Sequence, residues 1–282
     1  MKKAFLYVLV ALSLASCEEL LNGLKNNDGN IVAGLKEALR VGTDTAVFRL
    51  SRSGGYLADA AVKILIPEEA QTTFRAVKAI AAVPDVQAVM KVAGMDLTEG
   101  FENVLITAFN EAAEHAAPKA TDIFVSAIRG MSIDDGKEIL FSKNNDTAAT
   151  SYLRKTTWVA LTTAFAPVIS TSMNSVRVGD YTATSAWEFF AEQNNKLASI
   201  AASDEVKLAL IGASLFYGKE VAEINSTIKT IQPVSTDIGA YVTGKALNGL
   251  FTKVGDQEHK IRTDASARVN KLLQEVFGML DN

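Results

Sequence analysis

One cysteine and two histidines in 282 residues leave little material for several kinds of chemistry. A lone Cys17 forms no disulfide within the chain, no Cys-x-x-Cys redox pair and no cysteine-rich zinc site. His115 and His259 are the only imidazoles, which limits metal-ligand sets and general acid/base pairs. No cluster of five or more lysines and arginines is present, and the net charge is −4, so nucleic acid is not expected as a partner. The chain also lacks a G-x-S-x-G nucleophile elbow, and the Gly54-Gly55 segment has neither the lysine of a P-loop nor dinucleotide glycine spacing. No cofactor motif remains.

What is present begins at the N-terminus. Lys2 and Lys3 precede the apolar or small segment Ala4 to Ala15, the layout of a secretory signal. Its twelve residues fall short of the roughly 20 that a transmembrane helix needs. The tetrad Leu14-Ala15-Ser16-Cys17 resembles the bacterial lipobox, which implies cleavage before Cys17 and acylation of its sulfur and new amine. Several acyl chains would hold a protein on a membrane firmly, where one holds it marginally. Cleavage removes two lysines and no acid, so the mature body is more acidic still. Residues 1–16 are thus read as a signal peptide and residues 17–30 as the lipidated start and a polar, Gly/Asn-rich tether. As a flexible coil that tether reaches about 20 Å. Residues 31–282 remain for one all-α domain.

Helical periodicity dominates that body. Leu35, Leu39, Ala46 and Leu50 recur on one stripe, with Gly42 between them where a neighbouring helix approaches. Pro67 followed by two glutamates opens the next helix. Phe101, Leu105, Ala108, Phe109 and Ala112 form the core face of a helix ending near Ala116, and Pro118 opens another that Gly130 stops. Ser132, Asp146 and Asp264 stand at N-cap positions, and Pro167 marks a kink or restart. The expected fold is a single compact all-α bundle of about ten helices, without trusted strands.

Three segments, Gly34 to Pro67, Phe109 to Thr157 and Tyr241 to Gly278, together resemble a bacterial family known as domain of unknown function 4197. The resemblance implies an exported, lipidated or periplasmic helical protein and supplies no activity. Glu68 to Gly100 and Arg177 to Thr236 carry no segment that resembles the family, and Asp264-Ala265 stands where the family usually has Asn-Pro.

Four side chains are candidates for ligand binding: Asp146, Tyr152, Arg154 and Lys245. Arg154 falls one turn before Trp158, a spacing that allows a guanidinium to stack on indole. Lys245 lies in a helix apolar nearly all round, where a buried lysine must snorkel, pair or present its amine to a ligand. Glu111 with His115 and Asp256 with His259 have helical spacing for a metal only if the two pairs meet. Glu258 and Arg262 read as an ordinary i, i+4 ion pair contributing a few tenths of a kcal/mol. The sequence therefore favours an envelope lipoprotein, outer-membrane and facing the periplasm or surface, that binds a protein or a small apolar or amphipathic ligand without catalysis. The alternative is a hydrolase built on the four candidate residues.

Overall fold

A computed structural model describes residues 29, 31–81, 99–142, 145–203 and 230–281. The expected signal peptide, Cys17 and all but residue 29 of the expected tether lie outside the described residues. The described chain is overwhelmingly helical. Helix α1 covers residues 31–50. It is followed by α2 (Glu68–Ala81), α3 (Glu99–Ala116), α4 (Ala120–Gly130), α5 (Ile133–Leu140) and α6 (Ala148–Ser175). After these come α7 (Ala183–Ala202), α8 (Ile238–Thr263) and α9 (Lys271–Phe277). No described helix is long and apolar enough to cross a membrane.

The chain gathers into two compact units, each assembled from separate stretches. The first takes the chain up to Val47, Thr121–Val159 and everything from Phe251; the second takes Phe48–Ala120 and Ala160–Leu250.

In the first unit the stripe foreseen on α1 is its core face: Leu35, Leu39 and Ala46 are buried. Gly34 lies so close to Val276 of α9 that a β-carbon there would collide with the valine, and a β-carbon at Gly136 of α5 would come within 2.9 Å of Val32. Phe251 of α8 joins the aromatic core, edge-on to Phe124 of α4 and stacked on Trp158 of α6. Ser132 caps α5 in a reciprocal capping box with Asp135. Asp264 does not start the last helix. Its carboxylate caps a single 3-10 turn, Ala265–Ala267, and α9 has its own cap in Asn270, whose Oδ1 accepts the Leu273 amide. A proline at position 265 would fit that turn's first position, where no amide partner is needed.

The second unit is organised by buried polar groups. Both oxygens of the buried Glu114 are used: Oε2 accepts the Gly54 amide and Oε1 accepts those of Tyr56 and Leu57, pinning the turn that follows α1. Gly54 has φ +79°, which explains its glycine. Asn110 of α3 pairs with both backbone groups of Ile64, as a neighbouring strand would. The Tyr56 phenol donates to the Ala246 carbonyl at 2.8 Å, and burial pushes its pKa far up. An aromatic cluster of Phe74, Phe109, Trp187 and Phe190 fills the centre. A two-residue antiparallel ladder, Arg177–Val178 with Tyr181–Thr182, turns at Gly179 (φ +62°). Short runs of this kind carry no periodicity to read. Pro167 does not restart the chain, for α6 remains helical through it.

Candidate functional site

Two helix ends in the first unit are closed by one turn of α8. At the start of α6 the amides of Ala149 and Thr150 lack partners inside their own helix. Glu258 supplies them: its carboxylate accepts Ala149 N at 3.0 Å, Thr150 N at 2.7 Å and the Thr150 hydroxyl at 2.8 Å. One turn further along α8, Arg262 donates from Nε to Glu258 and from its two Nη groups to the carbonyls of Leu140 and Ile139, which end α5. Both side chains are buried. An anion on a helix N-terminus and a cation on a C-terminus each complement the helix dipole, and here the two charges neutralise one another as well. Arg268 extends the network: it donates to the carbonyls of Ile261 and Arg262 at the end of α8 and to both oxygens of Asp281.

A cleft of about 420 Å³ opens beside this capped end of α6. From α6 and its cap it is lined by Thr147, Thr150, Ser151 and Arg154; from α8 by Phe251, Thr252, Gly255, Asp256 and His259. A β-carbon at Gly255 would meet Thr147 at ordinary contact distance, 3.4 Å. The Arg154 guanidinium sits 4.7 Å from the Trp158 ring centre and 5.5 Å from that of Phe251. At the mouth, His259 Nδ1 lies 3.3 Å from Asp146 Oδ2. Asp256 is 3.5 Å from the Lys253 amine.

The family model described as "Protein of unknown function (DUF4197)" matches residues 25–278. The chain belongs to this family. No curated protein matches it, and no solved structure does. The DUF4197 match runs through Glu68–Gly100 and Arg177–Thr236, the segments whose resemblance was not visible in the sequence. It also contains every residue lining the cleft.

The structure separates the four candidates. Arg154 lines the cleft and stacks on Trp158, as its spacing predicts. Asp146 stands at the mouth on His259; it does not cap α6, because Glu258 does. Tyr152 is half-buried in the same unit and is not among the lining residues; burial, with Asp135 nearby, raises its phenol above the ordinary range. Lys245 belongs to the second unit and is exposed, its amine 5.4 Å from the Tyr241 ring, which corrects the expectation of a buried lysine. Of the metal-type pairs, His115 is bonded through Nδ1 to the Ser172 hydroxyl at 2.9 Å. Among the described residues no group of three or more His, Cys, Asp or Glu is arranged to hold a metal.

Glu258 and Arg262 are the residues that sequence reasoning undervalued. The signal was there: Leu247, Phe251, Val254, Glu258 and Ile261 follow one helical stripe, and all five are buried. A glutamate inside an apolar stripe needs partners from elsewhere, and that is a different object from a solvated i, i+4 pair.

Proposed function

We propose that this member of DUF4197 is an envelope lipoprotein, held to its membrane by acylated Cys17, whose first helical unit binds a small amphipathic ligand without transforming it. The cleft at the start of α6 carries this reading. Its volume falls within the range of ligand sites, about 300–1,000 Å³. The nearest buried carboxylate, Glu258, is consumed by helix capping and by Arg262, so it serves structure. The N-terminal layout supports the anchor.

Two measurements test it. Cys17→Ala should release the full chain from membranes on fractionation, and a variant that still sediments wholly with them refutes the anchor. Native mass spectrometry of the full chain, purified in detergent from its own envelope, should show a bound small molecule that Gly255→Leu loses, because the leucine fills the cleft.

One observation favours a hydrolytic reading: His259 is oriented by Asp146 in the cleft that also holds the Ser151 hydroxyl. It requires that a fluorophosphonate probe label Ser151 and that His259→Gln prevent the labelling; an unlabelled Ser151 removes it.

A further inference from the structure

We propose that the outer edge of α5 is the surface by which the first unit rests on the phospholipid membrane that holds it, with Ile133 and Phe141 entering the headgroup region. The proposal rests on the anchoring reading above and adds which face of the anchored body meets lipid. Gly136, Ile139 and Leu140 of α5 are buried. On its other side Ile133 and the C-cap Phe141 are 53% and 46% exposed. At about 100° per residue Ile133, Lys137 and Phe141 fall within an arc of about 80°. A single exposed apolar side chain is ordinary, but two at i and i+8 make one edge of the helix apolar at both ends.

The place where the tether arrives decides the occupant. Cys17 to Asn30 form a coil of about 20 Å, and α1 starts directly after them. The first turn of α1 packs on two helices, Val32 against Gly136 of α5 and Gly34 against Val276 of α9. An acylated Cys17 therefore keeps both helices near lipid at an effective concentration of about millimolar, so that a weak contact suffices. The two helices differ in what they show to solvent. α9 shows the Lys271–Glu275 pair, with side chains 88% and 60% exposed, and an interface would strip both charges of water. α5 shows isoleucine and phenylalanine, whose transfer out of water is favourable.

The charges near the edge fix how α5 lies. Lys36 of α1 donates to the Arg129 carbonyl at 3.1 Å, which brings a long cationic side chain to the end of α4, four residues before Ile133. Such side chains keep their stems on apolar surface and their charge at the polar boundary. Asp134 and Glu138 are exposed about 60° and 100° round the helix from Lys137, so α5 meets the membrane along its Ile133–Phe141 edge and leaves these acids in water. Because the acids oppose anionic lipid, the attraction is apolar, and zwitterionic lipid is sufficient.

The test uses the full acylated chain in phosphatidylcholine vesicles, with one nitroxide at a time on Ile133→Cys, Phe141→Cys or Glu275→Cys. These positions are exposed, and the acylated Cys17 has no thiol to label. Collision with a water-soluble nickel chelate should be severalfold weaker at 133 and 141 than at 275, and collision with oxygen stronger. In the unsubstituted chain, a diazirine-bearing phosphatidylcholine should cross-link within residues 133–141. Equal nickel accessibility at the three positions overturns the proposal, as does an absence of cross-links in residues 133–141. If the chain still sediments with the vesicles in either case, the anchor stands and only the face is wrong. A chain that does not sediment with them overturns both.

Discussion

Glu258 accepts the Thr150 amide at 2.7 Å from a position 108 residues away, so the first turn of α6 is capped by a helix remote in sequence. The same carboxylate pairs with Arg262, which holds the last carbonyls of α5. One ion pair therefore fixes both sides of the connection leading into the cleft.

Breaking this pair from one side should cost more than removing it whole. Arg262→Met leaves a buried carboxylate without its cation, and Glu258→Gln leaves a buried guanidinium without its anion; each should destabilise by about 3–5 kcal/mol. The double variant should lose less than the sum of the two. Urea unfolding of all four proteins gives the coupling directly, and strict additivity would refute it.

Arg268 and Asp281 make a pH-dependent contact. The Arg268 guanidinium, bonded to Asp281 at 2.5 and 2.7 Å, holds the aspartate's carboxyl below the usual carboxylate range. A group with a depressed folded pKa contributes stability that is present above its unfolded value, about 3.9, and is lost as the pH falls through the lower folded value. Asp281→Asn should thus lower the melting temperature at neutral pH, with the gap closing as both proteins are acidified below about pH 4. The gap should be small, since the carboxylate is open to solvent.

Glycines in the first unit should separate into two kinds. Gly34→Ala drives a β-carbon into Val276 and should cost about 1–3 kcal/mol, because a β-branched neighbour has few rotamers to yield with. Gly42→Ala meets only Gln257 at ordinary contact distance, 3.4 Å, and should be neutral or stabilising by up to about 1 kcal/mol through helix propensity. Thermal unfolding should place Gly34→Ala below the parent and Gly42→Ala level with it or above.

In the second unit, Asn110→Asp should be nearly as damaging as Asn110→Ala. The aspartate keeps an acceptor for the Ile64 amide but cannot donate to the carbonyls of Ile64 and Ile106 when ionised. Each variant should lose at least about 2 kcal/mol on chemical denaturation. Retention of parental stability by Asn110→Asp at neutral pH would show that the donor side of the amide is dispensable.

Much of the helical pattern was legible from local order. Leu35, Leu39 and Ala46 are buried as their spacing requires, and Ser132 caps α5 as its position before an acidic first turn suggests. The cleft was legible only in part. Arg154 and Asp146 were found, the first through its spacing to Trp158 and the second through its apparent capping position, which proved to be a contact with His259. Lys245 was misread because the apolar character of its helix was taken to surround it, whereas its own side chain faces outward.

The sequence by itself determined the class: amphipathic periods of three and four residues, glycines and caps are local properties, and they specify helices before any helix meets another. The N-terminal segment likewise carries its reading in a dozen consecutive residues. Only tertiary structure decided which charges are buried in helix capping and which line the cleft. Glu258 and Arg262 lie 108 to 123 positions from the backbone groups they satisfy, and no local pattern encodes that pairing. The physical reason is that a helix end demands a hydrogen-bond partner but does not specify its source, so the chain's path through space makes the choice.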